Sequence, residues 1–198
     1  MAAKLFIFDV DGVLLDLWAT MKGVYEKFTS QKLSQSQWDA VIADYLRDPV
    51  PYQQFGEYFD NSDAMASLSA VDGMPELVRK LKLLDFDLMI ITSVTDREDI
   101  TRKRESNLSR IFGDVFDRII YTGRGSSKAA ALEEAAKGYH ISFFCDDHPR
   151  NAAAGRGIVT YPLWFANLHQ RSIWEKIDRE GIVEIRSAEE IFELVKKV

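Results

Sequence analysis

Two aspartates at the end of an apolar run, Asp9 and Asp11, have the types and spacing that metal and phosphate chemistry require. Side chains alternate along a β-strand, so both carboxylates face one site if the strand continues through Asp11. Neighbouring carboxylates repel each other, and a bound cation relieves that repulsion. Magnesium suits an oxygen-rich site with few protein ligands. The pair therefore predicts a magnesium site, and the alternative is that both aspartates only cap the following segment.

A second acidic pair, Asp146 and Asp147, follows another apolar run far along the chain. Two acids next to a buried strand need partners, because an unpaired buried charge is costly. A metal ion would supply such a partner, and the alternative is that one of the two acids caps a helix. His148 and Arg150 come next and could approach a substrate there, although a surface loop explains both residues more simply.

Hydroxyl and basic side chains follow two further elements. Thr92 and Ser93 end an apolar run, where a hydroxyl and free backbone N–H groups could hold a phosphoryl oxygen. Helix capping is the commoner use of such residues, but Thr95 competes for that role and forms a capping-box pattern with Glu98. Lys128 stands just inside the start of a predicted helix, where the macrodipole disfavours a base. That position indicates a ligand, and the alternative is a solvated surface lysine.

The segments that carry these residues form an alternating pattern of predicted strands and helices. Apolar runs without alternation suit parallel strands that are covered on both faces of the sheet. The sequence predicts such strands at residues 4–8, 87–92, 118–122 and 141–145, with weaker candidates at 157–161 and 182–185. Helical patterns separate them, over residues 75–84 and 129–137 and after Ser187. This alternation predicts right-handed βαβ units and a parallel sheet.

One region, residues 17–72, breaks the alternation because it contains no convincing strand. Two sets of apolar residues there keep helical spacing, namely Trp18, Met21, Tyr25 and Phe28, and then Trp38, Val41, Ile42 and Tyr45. We predict a helical domain over residues 17–72, inserted into a core domain that comprises residues 1–16 and 73–198. The connecting segments lie near residues 15–18 and 70–74.

Each of these signals is weak alone, but each falls at the carboxyl end of a predicted strand, where open α/β sheets bind ligands. In this order they resemble the haloacid dehalogenase superfamily of phosphatases. The matching segments are FDVDGVLLD around Asp9, IITS around Thr92, SSK at Lys128 and FFCDDHPRN around Asp146. The resemblance spans the whole chain. It implies a doubly wound parallel sheet with strand order 5-4-1-2-3 and a small helical cap inserted after strand 1.

The resemblance also implies a role for each candidate residue. Asp9 would be the nucleophile that forms an aspartyl-phosphate, and Asp11 would be the general acid and base, which also gives its backbone carbonyl to magnesium. The implied metal ligands are Asp9, Asp11 and Asp146, with Asp147 in support, and the implied phosphate ligands are Thr92, Ser93 and Lys128. The division of roles between Asp146 and Asp147 stays open, because this chain has two adjacent acids rather than two spaced ones.

The activity that the resemblance implies is magnesium-dependent hydrolysis of a small phosphate monoester. Asp11 argues against carbon–halogen cleavage, because the dehalogenases of the superfamily carry no aspartate at that position. Two alternatives stay open. A phosphomutase acting on a sugar phosphate would keep every core motif, and a module that binds a phosphorylated ligand without catalysis would need the same pocket.

Composition limits the partners and the cellular setting. The 198 residues carry a net charge of -6, which makes nucleic acid an unfavourable partner and leaves a small phosphorylated metabolite as the expected one. The single cysteine, Cys145, excludes an intramolecular disulfide and fits a buried structural thiol in a reducing compartment. We find no secretory signal, and no apolar stretch approaches the length of about 20 residues that a membrane span needs. A cytoplasmic location is therefore expected, and the oligomeric state stays open.

Overall fold

A six-stranded parallel sheet with the order β3-β2-β1-β4-β5-β6 organises the protein. We describe a computed structural model, in which residues 4–93, 97–123, 126–166 and 178–198 are described. The strands are β1 Lys4–Phe8, β2 Phe86–Ser93, β3 Arg118–Thr122, β4 His140–Asp146, β5 Tyr161–Phe165 and β6 Val183–Ile185. The predicted α/β class and the order of the first five strands are confirmed, and β6 extends the sheet beyond β5.

The weaker strand prediction at residues 157–161 is wrong. Gly157 adopts a left-handed conformation with φ of 73°. The backbone N–H groups of Ile158 and Val159 both bond to the carbonyl of Gly155, so this segment is a tight turn. Pairing with β4 begins only at Tyr161. Composition alone does not separate a buried apolar turn from a buried strand, because both exclude polar side chains.

Eight α-helices surround the sheet within the described part of the chain. They are α1 Leu17–Thr29, α2 Gln35–Arg47, α3 Gln53–Asn61, α4 Met74–Leu83, α5 Glu98–Phe112, α6 Ala129–Ala136, α7 Pro149–Ala154 and α8 Ala188–Val195. Short 3-10 helices cover Val50–Tyr52 and Asp63–Ala66. Among the described residues, no helix has the length and apolar composition that crossing a membrane requires.

Local sequence signals explain several helix ends. Ser34 and Gln37 form a capping box at the start of α2, and Ser187 caps α8 by accepting the backbone N–H of Glu190. Pro75 lies in the first turn of α4, where its missing N–H has no helical partner to lose. The capping role predicted for Thr95 lies outside the described residues.

Both faces of the sheet are buried, which is why the strands lack an alternating pattern. In β1, Phe6 and Phe8 enter one hydrophobic cluster while Leu5 and Ile7 enter another on the opposite face. Phe143 of β4 stacks on Phe6, with ring centroids 5.1 Å apart. Cys145 is a buried free thiol, as predicted, and burial raises its pKa well above the ordinary value.

The segment between β1 and α4 is helical, in agreement with the absence of a strand pattern there. Its return to the core is fastened to α5 by side chains that donate to backbone carbonyls. Asn107 and Arg110 both donate to the carbonyl of Leu68, over 3.1 and 3.3 Å. An isolated bridge also pairs Leu15 with Ala70, so the two connecting segments lie side by side. A separate domain over residues 17–72 stays a prediction.

Removal of a core aromatic ring tests this packing. We expect Phe143→Ala to lower the free energy of unfolding by about 3–5 kcal/mol, because it leaves a cavity between stacked rings. Urea denaturation followed by circular dichroism measures this. Leu83→Ala is the control, since Leu83 is 83% exposed and should leave the transition unchanged. A Phe143→Ala transition that matches the wild type would contradict the packing described here.

Candidate active site

Three buried aspartates converge at the carboxyl ends of β1 and β4. Asp9 follows β1 directly, Asp146 is the last residue of β4, and Asp147 comes next. The strands are neighbours, and the backbone N–H of Asp9 donates to the carbonyl of Cys145 over 2.8 Å. One carboxylate oxygen from each aspartate lies within 4.8 Å of the others. The structure therefore brings together the two acidic segments that the sequence places far apart.

Lys128, directly before α6, supplies a positive charge between Asp9 and Asp146. Its Nζ lies 2.7 Å from Oδ1 of Asp9 and 2.6 Å from Oδ2 of Asp146. Burial alone would lower the pKa of Lys128, but the Asp146 and Asp9 carboxylates outweigh burial and raise that pKa above its ordinary value. The amine is therefore protonated at neutral pH, and the alternative of a solvated surface lysine is wrong, since the side chain is 1% exposed.

Among the described residues the cluster holds three carboxyl groups and one ammonium, which contacts Asp9 and Asp146. Burial raises the pKa of Asp9, and the neighbouring Asp146 carboxylate adds to that rise while Lys128 opposes it. An added cation would favour the ionised form of Asp9. Because all three donors are carboxylate oxygens, the set fits magnesium better than a soft metal.

Asp146 is held in one orientation by two further donors. Its Oδ1 accepts the backbone N–H of His148 over 2.8 Å and Nδ2 of Asn151 over 3.2 Å. Its Oδ2 accepts from Lys128. Every oxygen of this fully buried carboxylate is thus engaged, which explains how the chain tolerates a carboxylate with no solvent contact.

The geometric argument for Asp11 fails, because the strand ends at Phe8 and does not continue through Asp11. The chain turns instead, with Gly12 at φ 78°. The Asp11 carboxylate pairs with Arg104 of α5, whose Nη2 lies 2.9 Å from Oδ1. Asp11 still lines the same cavity as Asp9, but its carboxylate is not part of the three-aspartate cluster. Its role in acid–base catalysis and its carbonyl ligand role stay predictions.

A cavity of about 150 Å³ opens beside the cluster. The side chains around it are Asp9, Asp11, Trp18, Leu46, Ser93, Lys128, Asp147, His148 and Asn151. The volume accommodates a phosphoryl group with a small substituent. A larger depression of about 580 Å³ lies against α3 and Arg97, away from the three-aspartate cluster.

The two hydroxyl residues at the end of β2 occupy different positions. Ser93 lines the cavity, and its Oγ lies 2.9 Å from Oγ1 of Thr122 on β3. Thr92 is 2% exposed, and its carbonyl accepts from the Thr122 hydroxyl. Contact of either hydroxyl with phosphate stays a prediction.

The two residues after the acidic pair also differ. His148 lines the cavity, and its Nδ1 accepts the backbone N–H of Arg150 over 3.2 Å. Burial, together with the charges of Arg150 and Lys128, lowers the pKa of His148 to about 4, so the imidazole is neutral at neutral pH. The Arg150 side chain is exposed but lies in α7 rather than in a loop, and His148, directly before that helix, is only partly exposed.

No protein-family model matches this sequence, and no curated protein matches it either. Solved structures match the fold instead. A Had-superfamily hydrolase from Ehrlichia chaffeensis is 15% identical over 99% of this chain and 97% of its own, with a TM-score of 0.58. The chain has the haloacid dehalogenase fold.

Other proteins with the haloacid dehalogenase fold match at similar levels. A predicted phosphatase from Clostridium acetobutylicum is 16% identical over the full length of both chains, with a TM-score of 0.63. A D,D-heptose 1,7-bisphosphate phosphatase from B. bronchiseptica, crystallised with magnesium and phosphate, is 14% identical over 98% of this chain and 99% of its own, with a TM-score of 0.62. Dehalogenase structures share the fold too, so the fold by itself does not select a reaction.

Two residues of this haloacid dehalogenase fold were not identified as site residues from the sequence. Arg104 follows Ile100 and precedes Leu108 at helical spacing, so the pattern places it on the buried face of α5 and could have revealed it. The helical spacing of Trp18 indicates only an apolar helix face, yet its indole donates to Asp147. Nothing in the sequence distinguishes that tryptophan from a purely apolar core residue.

The pair of Arg104 and Asp11 gives a stability prediction. We expect Arg104→Met to lower the free energy of unfolding by about 1.5–3 kcal/mol, because it removes a charged hydrogen bond between the buried Arg104 guanidinium and the partly buried Asp11 carboxylate. Urea denaturation measures the change. Arg47→Met is the control, since Arg47 pairs with Asp44 over 2.8 Å at an exposed site and should have little effect. Equal effects of the two substitutions would show that burial of the Arg104 pair has no energetic consequence.

Proposed function

We propose that the protein hydrolyses a small phosphate monoester in a magnesium-dependent reaction with an aspartyl-phosphate intermediate on Asp9. The observation that carries the proposal is the buried cluster of Asp9, Asp146 and Asp147, with Lys128 in contact with the first two, at the edge of a cavity. An excess of buried negative charge next to a protonated lysine favours a divalent cation together with a phosphoryl group, since each partner balances the other.

Asp9, Asp146 and Asp147 would hold the metal, with the backbone carbonyl of Asp11 as the further ligand that the family resemblance implies. Magnesium, when bound, supplies positive charge that stabilises the charge on the transferring phosphoryl oxygens. Lys128 adds a permanent positive charge from within the protein. Ser93 and Thr92, the last two residues of β2, would orient the phosphoryl oxygens. The magnesium-containing phosphatase with the same fold supports this assignment.

The two steps require different tasks of Asp9 and Asp11. In the first, a carboxylate oxygen of Asp9 attacks phosphorus, the ester P–O bond breaks, and Asp11 gives its proton to the leaving oxygen. In the second, Asp11 takes a proton from water, the water oxygen attacks phosphorus, and the bond to Asp9 breaks. The products are the alcohol and inorganic phosphate, and both aspartates return to their starting forms.

The position of Asp11 in the cavity wall favours phosphate chemistry over halide chemistry. Phosphoryl transfer to an alcohol or from an ester needs an acid–base group at the leaving oxygen, whereas loss of halide needs no proton donor. Residues 17–72 would act as the cap, since Trp18 of α1 and Leu46 of α2 contribute to the cavity wall beside the core residues 1–16 and 73–198. The expected substrate is a small phosphorylated metabolite.

Metal dependence is the direct test of the proposed activity. Released phosphate should be detected from at least one member of a panel of small phosphate monoesters when magnesium is present. A chelator should abolish the release, and excess magnesium should restore it, because the carboxylate cluster then regains its cation. Undiminished turnover in metal-free buffer would contradict the proposal. An isomerised sugar phosphate without free phosphate would indicate the phosphomutase alternative.

The different tasks of Asp9 and Asp11 give a second test. Asp9→Asn should abolish turnover and phosphoenzyme, because an amide is a poor nucleophile. Asp11→Asn should slow turnover by roughly 10²–10⁴-fold, the usual contribution of a general acid–base group. With a good leaving group the first step should suffer less, so phosphoenzyme should accumulate in Asp11→Asn. Acid quench with labelled substrate and peptide mapping locates the label, and label in Asp9→Asn would overturn the assignment.

A further inference from the structure

Two neighbours, Gly12 and Trp18, confine the Asp147 side chain. On one side the backbone of Gly12 is so close that a Cβ built there would lie 2.2 Å from Oδ2 of Asp147. From the inserted helices, Nε1 of Trp18 donates to the same oxygen over 3.3 Å. Only a glycine at position 12 leaves room for this carboxylate, so the backbone and the indole together restrict where the oxygen can lie.

The main chain of Asp147 is fixed by a different tryptophan. Nε1 of Trp164, on β5, donates to the backbone carbonyl of Asp147 over 2.9 Å. Trp164 therefore positions the residue, while Trp18 contacts the carboxylate oxygen itself. Rotation of a carboxylate about its last torsion angle is soft, so the donors around it set where its oxygens lie.

Trp18 is itself firmly placed. It lies in the first turn of α1, is 6% exposed, and lines the cavity. Asp16 caps this helix by accepting the backbone N–H of Ala19 over 3.1 Å, and the backbone N–H of Asp16 donates to the carbonyl of Ser69 over 2.9 Å. The start of α1 is thereby tied to the returning segment of the insertion, which fixes the direction from which the indole approaches Asp147.

We infer that Trp18 is a positioning residue for metal binding, which holds the Asp147 carboxylate oxygen in the orientation that a magnesium ion requires. The inference rests on the metal dependence of the proposed function. Donors that orient a metal-binding side chain typically change metal affinity by about 10–100-fold when they are removed. The metal site is then completed by the inserted helices and does not belong to the core alone.

The test is the magnesium affinity of Trp18→Phe, measured by calorimetric titration with magnesium chloride and by the rise in melting temperature with magnesium concentration. We expect a dissociation constant about 10-fold higher than that of the wild type, because the phenyl ring keeps most of the packing but cannot donate. Trp38→Phe is the matched control. Trp38 is a buried tryptophan of the same insertion, and no hydrogen bond from it to the three-aspartate cluster is found in the described part of the chain.

A second variant separates the lost hydrogen bond from altered packing. Replacement of Trp18 by benzothienylalanine, in which sulfur stands in place of the indole N–H, retains the ring shape and removes the donor. It should weaken magnesium binding as much as Trp18→Phe does while unfolding like the wild type. Unchanged magnesium affinity in both variants would overturn the inference.

The outcomes distinguish this inference from the proposed function. A wild-type protein that binds no magnesium contradicts both. Magnesium binding without release of phosphate from any ester contradicts the hydrolysis alone, and the role of Trp18 is still decided by the titration. Normal hydrolysis with equal magnesium affinities in the wild type and both Trp18 variants contradicts only the role of Trp18.

Discussion

The balance of buried charge at the ends of β1 and β4 is the constraint on which the rest of this structure depends. Removing a carboxylate from water costs several kcal/mol, and only well-placed partners offset a cost of that size. Here Lys128 contacts both Asp9 and Asp146, and backbone and amide donors satisfy the other oxygen of Asp146. The sheet, the helix start that carries the lysine and the turn after β4 must all align for this arrangement to be stable.

Strand pairing provides that alignment. Because β1 lies between β2 and β4, its carboxyl end is at the point where the strand order reverses, which is where open α/β sheets bind ligands. The register between β1 and β4 shifts after Leu5, where Ser142 is the extra residue, and Phe8 then pairs with Cys145. This irregularity sets Asp9 beside Asp146. Without it, Asp9 would lie next to Cys145, since a slip of one residue exchanges the faces.

The inserted helices are fitted to the same edge of the sheet by α5 and by the turn after β1. Donors from α5 bind the returning segment near Leu68, and Arg104 of the same helix pairs with Asp11. From the other end of the insertion, Trp18 reaches Asp147. Leu46 packs against the cluster of Ala152, Trp164 and Ala166 and also lines the cavity. The walls of the cavity therefore come from the insertion and the sheet together.

The sequence by itself determined five of the six described strands, all but β5, because buried parallel strands need continuous apolar runs, and it determined which polar residues end β1, β2 and β4. It also determined the helical character of residues 17–72. Only the tertiary structure decided which carboxylates meet. Asp11 pairs with an arginine 93 positions away, and Trp18 with an aspartate 129 positions away. Local periodicity reports which face of an element is buried, whereas the partner on that face depends on strand register and helix docking, which involve the whole chain.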